Sequence, residues 1–175
     1  MKLAIDVYYC ENQAKTVGIL FKDWRSEKEE QILASYSHEI LPYEPGNFYK
    51  RELPCIIDLL NNIDLNRIKE IIIDGYVYLD DKGKPGLGYY LYEYLLQEKP
   101  VIGVAKNAFH KNSNNYVKEI YRGESIKPLY VTSAGLDLEI SAENIRNMFG
   151  KYRIPYLFSL LDQETKKNKN SKSLK

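Results

Sequence analysis

The 175-residue chain holds only two cysteines and two histidines, and no stretch of it approaches eighteen consecutive apolar residues. Each shortage removes a class of function. Cys10 and Cys55 lack the spacing of a metal or redox motif and are too distant in sequence to suggest a disulfide framework, which predicts a reducing, cytoplasmic setting. His38 falls in a strand-like run and His110 in a loop, and both read as incidental surface residues. The missing apolar run excludes a helical membrane span, and residues 2–8 are already strand-like, which predicts no secretory leader. Charge of one sign is scarce too: the formal net charge is +1. Five of the basic residues (Lys166, Lys167, Lys169, Lys172, Lys175) crowd the last eleven positions, and without them 20 bases face 24 acids. A polyanion partner is therefore invisible in the overall balance and has to be sought in local features.

What is present is a hydrophobic content of 44% in a chain of ordinary single-domain length, with 16 tyrosines. Tyrosine suits base stacking, although most of these rings read as fillers of strand and helix surfaces. Residues 2–8 (KLAIDVY), 14–21 (AKTVGILF) and 30–40 are β-rich runs that predict three antiparallel strands. Residues 54–62 carry Ile56, Ile57, Leu59 and Leu60 at helical spacing, with Pro54 in the first turn or just inside it. Residues 68–74 (IKEIIID) form a short apolar run that ends on Asp74 before Gly75, the pattern of a central strand delivering a carboxylate. A helix over 87–96 and a buried strand over 101–106, ending on Lys106, complete a parallel, right-handed βαβ unit. Residues 116–121 and 128–132 predict a hairpin, and 141–149 a last helix closed by Gly150. The expected architecture is α/β, a mixed sheet flanked by helices, in one domain over 1–163 with a disordered Lys-rich tail over 164–175.

Asp6 and Asp74 sit among residues that belong in the core. An ionised carboxylate there needs a partner, because desolvating it alone costs on the order of several kcal/mol. A hard divalent cation is one such partner, while a turn cap or a lysine is another, and the residues alone leave these open. Between the two acids, residues 42–52 (PYEPGNFYKRE) combine two prolines, a glycine, three aromatics and the Arg51-Glu52 step, an odd segment for pure scaffolding.

In order and approximate spacing, four features resemble the endonuclease V family, metal-dependent enzymes that nick nucleic acid on the 3′ side of hypoxanthine. They are Asp6-Val7-Tyr8-Tyr9, the P-Y-x-P-G turn at 42–46 leading to Arg51-Glu52, Asp74-Gly75, and Gly103-Val104-Ala105-Lys106. The resemblance covers nearly the whole chain. It implies a ribonuclease H-like fold in which Asp6, Glu52 and Asp74 hold Mg²⁺, with Mn²⁺ as the alternative, and in which Lys106 orients the scissile phosphate or the attacking water. It further implies that Tyr43 stacks where a flipped base has left. Gly46 and Gly75 would let backbone atoms approach that base. The implied partner is inosine-containing DNA, or RNA, and the implied role is repair of deaminated adenine.

The sequence also departs from the family pattern. No His-Pro-Arg follows Asp74-Gly75, and Lys82 and Lys84 are the nearby candidates for phosphate contacts. Ser133-Ala134-Gly135-Leu136 aligns with a family segment that ends on a histidine near the metal, so Leu136 takes the histidine position and Asp137 is a candidate substitute ligand. Glu44 stands in the wedge, where a carboxylate would repel phosphates. These departures predict a weaker grip on substrate. They keep open a binding module without turnover, and a nuclease of the same fold that acts on branched or RNA-paired substrates.

Overall fold

The computed structural model describes residues 1–10, 13–38, 47–109 and 115–167. Seven strands form one mixed sheet in the order β3-β2-β1-β4-β5-β7-β6. The first three, β1 (Lys2–Cys10), β2 (Gln13–Phe21) and β3 (Gln31–Ser37), make the expected antiparallel meander. β4 (Glu70–Asp74) lies parallel to β1 and to β5 (Val101–Ala105), and the short edge strand β6 (Lys118–Ile120) pairs antiparallel with β7 (Leu129–Ala134). β7 runs antiparallel to β5. The predicted βαβ crossover and hairpin are both present. No helix among the described residues is long and apolar enough to cross a membrane.

Four α-helices cover the sheet: α1 (Phe48–Leu60), α2 (Leu87–Tyr94), α3 (Leu138–Arg146) and α4 (Tyr156–Lys166). The two-residue period of the strands sorts the core into two layers. Leu3, Ile5, Ile71, Ile73 and Val101 pack with Ile56, Leu59 and Leu91 of α1 and α2. Ala4, Ile72, Ile102 and Val104 pack with Ala142, Ile145, Leu157 and Leu161 of α3 and α4. The central strands β4 and β5 are buried on both faces, which is why their sequences read as continuous apolar runs.

Three helices differ from expectation. α1 begins at Phe48 rather than at Pro54, so Pro54 lies in its interior and Glu52 becomes a helix residue. A proline there removes one backbone donor, and the buried stripe of Cys55, Ile56, Leu59 and Leu60, together with the Tyr49–Tyr90 ring stack at 3.7 Å, holds the helix across the defect. α3 begins at Leu138 rather than at residue 141, because the Asp137 carboxylate caps it by accepting from the Ile140 N–H at 3.0 Å. α4 was not expected at all. Its buried face is Leu157, Leu161 and Thr165, and the polar third member breaks the apolar periodicity. It runs three residues past the expected start of the tail.

One close approach positions the chain after β4. A Cβ on Gly103 would lie 2.5 Å from the Gly75 carbonyl oxygen and 2.6 Å from Thr132 Oγ1. That hydroxyl oxygen accepts a hydrogen bond from the Val77 N–H at 2.8 Å. Gly103→Ala is therefore expected to lower stability by about 1–3 kcal/mol through overpacking, read as a fall in thermal midpoint. Gly18→Ala, whose new methyl meets only the movable side chains of Leu59 and Leu3, is expected to fall by less. Equal midpoints for the two variants would contradict this account.

Candidate functional site

Strand pleat and register bring the first acids together. β1 pairs in parallel with β4 with Ile5 opposite Ile73, so Asp6 and Asp74 follow as neighbours where that pairing stops, Asp74 as the last residue of β4 and Asp6 midway along the longer β1. Asp6 continues the face of Ala4 and Asp74 that of Ile72, so both are on the face covered by α3 and α4. Lys106 follows β5, the next strand in the sheet, with the same parity as Val104. Its ammonium donates to Asp74 Oδ2 at 2.9 Å and lies 3.9 Å from Asp162 Oδ1 of α4. These four side chains line one cleft with Ile154 and Phe158.

Glu52 arrives from α1, on the opposite face of the sheet, and is 7% exposed. Burial, then the charges of Asp6 and Asp74, push its carboxyl up to about 9. Asp6 is also pushed up, to about 6, by burial and then by Asp74, against the pull of the Val7 N–H at 2.8 Å and of Lys106. Burial pulls the Lys106 ammonium down, yet its hydrogen bond to Asp74 and the charges of Asp74, Asp162 and Asp6 hold it above its ordinary value. The charge of Asp74 thus reaches Asp6 on its own face of the sheet and Glu52 on the other.

Among the described residues, no three His, Cys, Asp or Glu side chains stand already grouped around a point fit for a metal ion. Lys106 occupies one oxygen of Asp74 instead. That pair is 42% and 36% exposed at its side chains, and a solvated ion pair contributes only about 0–1 kcal/mol. A stronger cation is therefore not barred from Asp74 by the lysine. Mutually repelling, partly buried carboxylates form an all-oxygen donor set that suits a hard divalent ion.

The segment after Asp74 is held closely. Gly75 has φ +146°, a backbone state that side-chain-bearing residues rarely adopt, and its N–H donates to the Val104 carbonyl at 3.1 Å. The Tyr76 hydroxyl donates to the Asn107 carbonyl at 2.7 Å, tying this turn to the residue after Lys106. Lys82 and Lys84 are exposed in a turn capped by Asp80, which accepts from both of their backbone N–H groups. Tyr43, Glu44, Gly46 and His110 lie outside the described residues. His38 is exposed, at the end of β3.

The placement of Leu136 beside Asp6 and Asp74 is corrected by strand direction. β7 is antiparallel to β5, with Tyr130 opposite Ala105 and Ala134 opposite Val101. Residues 133–137 therefore sit at the amino end of β5, roughly 13 Å of strand away from Lys106. Leu136 packs into the core and Asp137 caps α3, so neither is a substitute for a catalytic histidine. The case for lost turnover that rested on Leu136 goes with it.

What the sequence reading missed is α4. Asp162 faces Lys106, and Thr165, one turn on and buried, donates to Asp6 Oδ2 at 3.4 Å. Lys166 closes the far side of Asp162 at 2.7 Å. The available signal was the i, i+4, i+8 spacing of Leu157, Leu161 and Thr165, which sets Asp162 one residue past the buried stripe.

The comparisons with known proteins converge. A family model described as "Endonuclease V" matches residues 3–162. An endonuclease V of Bacillus thuringiensis is 27% identical over 185 aligned residues, covering 91% of this chain and 77% of its own length. The crystal structure of an endonuclease V from Bacillus subtilis superposes with a TM-score of 0.75 at 20% identity, over 94% of this chain and 78% of that one. Endonuclease V of Ciona intestinalis, solved with a 24mer DNA containing an inosine followed by a ribo-adenosine, gives a TM-score of 0.72 at 17% identity, over 94% and 83%. The sheet and its helices are thus the ribonuclease H-like architecture expected from the sequence.

The raised Glu52 carboxyl has a consequence for stability. Between its ordinary value of 4.5 and about 9, the folded chain keeps a proton that the unfolded chain has released, so stability falls as pH rises through that window. Asp6 adds the same sign of slope between 3.8 and about 6. In metal-free buffer the thermal midpoint of the native chain is expected to drop from pH 5 to pH 9 more steeply than that of Glu52→Gln. Parallel curves for the two proteins would refute the assignment.

Proposed function

The chain belongs to the endonuclease V family, and we propose that it hydrolyses the phosphodiester bond on the 3′ side of hypoxanthine in DNA or RNA, with Asp6, Glu52 and Asp74 holding Mg²⁺ or Mn²⁺. The observation that carries this reading is the register that sets Asp6 and Asp74 side by side just past the parallel pairing of β1 with β4, with Glu52 near enough for their charges to raise its carboxyl. Two of the comparisons support it: the family supplies the nuclease chemistry, and the Ciona protein was solved with an inosine-containing DNA.

When bound, such an ion activates water for attack on phosphorus and steadies the departing 3′ oxygen. The rest falls to the chain. Lys106 is a point charge on the rim of the cleft, able to leave Asp74 for a phosphate oxygen and so orient the scissile group. Asp162 holds the ammonium from its other side and keeps it within the cleft. The Val7 N–H holds Oδ1 of Asp6 at 2.8 Å, and the Thr165 hydroxyl, whose shorter bond goes to the Asp162 carbonyl at 2.9 Å, stands 3.4 Å from Oδ2. Gly75, without a side chain and in an extended positive-φ state, leaves its backbone open to a close approach by the base. Tyr43 and Gly46 complete the reading as the wedge and the second backbone contact. Stacking on the tyrosine would contribute roughly 1–3 kcal/mol toward the work of flipping a base.

Cleavage of a labelled inosine oligonucleotide tests the proposal. The native chain is expected to nick one position 3′ to the inosine site in Mg²⁺ or Mn²⁺, and Asp74→Asn to lose at least a hundredfold in rate. Lys106→Ala is expected to fall by roughly 10²–10³-fold, the loss seen when one charge-stabilising donor is removed. Absence of nicking by the native chain across both metals and pH 6 to 9 would overturn the assignment. Because ligand carboxylates must shed their protons, Mg²⁺ is expected to raise the thermal midpoint more at pH 8 than at pH 5. A shift independent of pH would remove Glu52 from the ligand set.

A further inference from the structure

We propose that the exposed rings of Tyr121, Phe149, Tyr152 and Tyr156 form a stacking platform for unpaired bases of the nucleic-acid strand that leads away from the catalytic cleft. The proposal rests on the endonuclease reading for the identity of the polymer, and it names a surface which that reading does not use.

The platform is built around one buried cation. The Arg122 side chain, 6% exposed, donates only to main-chain carbonyls: from Nε to Arg146 at 3.0 Å, from Nη1 to Tyr152 at 2.9 Å and Arg153 at 3.3 Å, and from Nη2 to Met148 and to Gly150 at 3.0 Å. A planar guanidinium with a fixed fork of donors thus fastens residues 146–153 at five points. The neighbouring turn packs on the same segment, since a Cβ on Gly123 would lie 2.4 Å from the Lys151 carbonyl oxygen. Phe149 and Tyr156 meet edge to face at 6.1 Å, and the Tyr156 N–H donates to the Phe149 carbonyl at 2.9 Å. The backbone is therefore rigid where the rings it carries are open to solvent: Tyr152 is 69% exposed, Tyr121 54%, Phe149 44% and Tyr156 42%. A backbone fastened in this way leaves mainly the side-chain torsions to be ordered on stacking.

Charge and position select the occupant. The exposed Lys127 and Lys151 and the half-buried Arg153 flank the rings, against Glu124 and Glu119, the latter accepting from the Tyr121 hydroxyl at 3.2 Å, in a chain whose overall balance is nearly neutral. Lys151 lies 5.1 Å from the centre of the Tyr152 ring, a cation beside a stacking face. The patch is also continuous with the cleft. Arg153 donates to the carbonyls of Lys106 and of Pro128, and a groove lined by Ile154, Phe158, Ser159 and Gln163 runs along α4 to Lys106 and Asp162. A strand with its scissile phosphate at Lys106 would pass along this groove toward the rings. Aromatic faces interleaved with bases bind unpaired nucleic acid without regard to sequence; a neutral protein partner would not call for the cations.

The test is fluorescence anisotropy of a labelled 24-nucleotide single strand containing one inosine, in EDTA so that no cleavage intervenes, with the full chain and its variants. Tyr152→Ala is expected to weaken binding at least fivefold, the lower end of what one lost base–ring stack produces. Tyr152→Phe is expected to bind as the native chain does, since the ring and not the hydroxyl is used. Lys151→Ala is expected to reduce the dependence of log affinity on log salt by about 0.7. Native-like affinity in Tyr152→Ala, or equal losses in the Ala and Phe variants, would overturn the platform. Nicking of inosine substrates by the native chain is scored separately. Nicking with unchanged affinity in Tyr152→Ala would sink the platform alone, and the expected affinity losses without nicking would support the platform while sinking the catalytic reading.

Discussion

Two carboxylates of like charge on neighbouring strands are the constraint around which the rest of this molecule is arranged. Parallel pairing of β1 with β4, in a register that sets Ile5 beside Ile73, leaves Asp6 and Asp74 no freedom to separate. Their repulsion is eased in the structure by Lys106, and the upward push on the carboxyls of Asp6 and Glu52 favours their neutral forms. Both are weak solutions, because the lysine pair is half solvated and a protonated acid is a poor ligand. Repelling carboxylates of this kind are a donor set that suits a compact dication, as the proposed hydrolysis requires.

The scaffold serves this point from both faces of the sheet. From one side α1 delivers Glu52, on a helix that tolerates an internal proline because its buried stripe and a tyrosine stack hold it. From the other side α4 delivers Asp162 and Thr165, which fix Lys106 and Asp6. Gly103 keeps the sheet thin enough at β5 for the turn after Asp74 to fold back over it, and Thr132 satisfies the Val77 N–H that this turn would otherwise leave buried without a partner. Arg122 plays the corresponding part on the α4 side, using a buried charge and main-chain carbonyls in place of regular secondary structure.

The strands and the central acids were legible in the linear chain. Residues 71–73 are three isoleucines in a row, a pattern that a strand buried on both faces requires, and the acid that follows them marks its end. Asp6 could be recognised because a carboxylate interrupts an otherwise apolar strand. Helix starts were harder to read. Asp137 caps α3 through a local bond to the Ile140 N–H, whereas Pro54 lies inside α1 because packing partners distant in sequence, Tyr90 among them, hold the helix. The alignment of Leu136 with a family histidine failed for a related reason: a short motif carries no information about which end of a sheet its strand will present.

By itself, then, the order of residues determined which segments would be strands, that acids would interrupt β1 and end β4, and which family the chain joins, because period-two burial and short motifs are local properties. Only the folded chain decided that Asp162 and Thr165 face Asp6 and Lys106, that Leu136 lies at the opposite end of β5, and that Arg122 gathers residues 146–153. Those outcomes are set by strand direction and by contacts between segments more than twenty residues apart, and no local pattern encodes them.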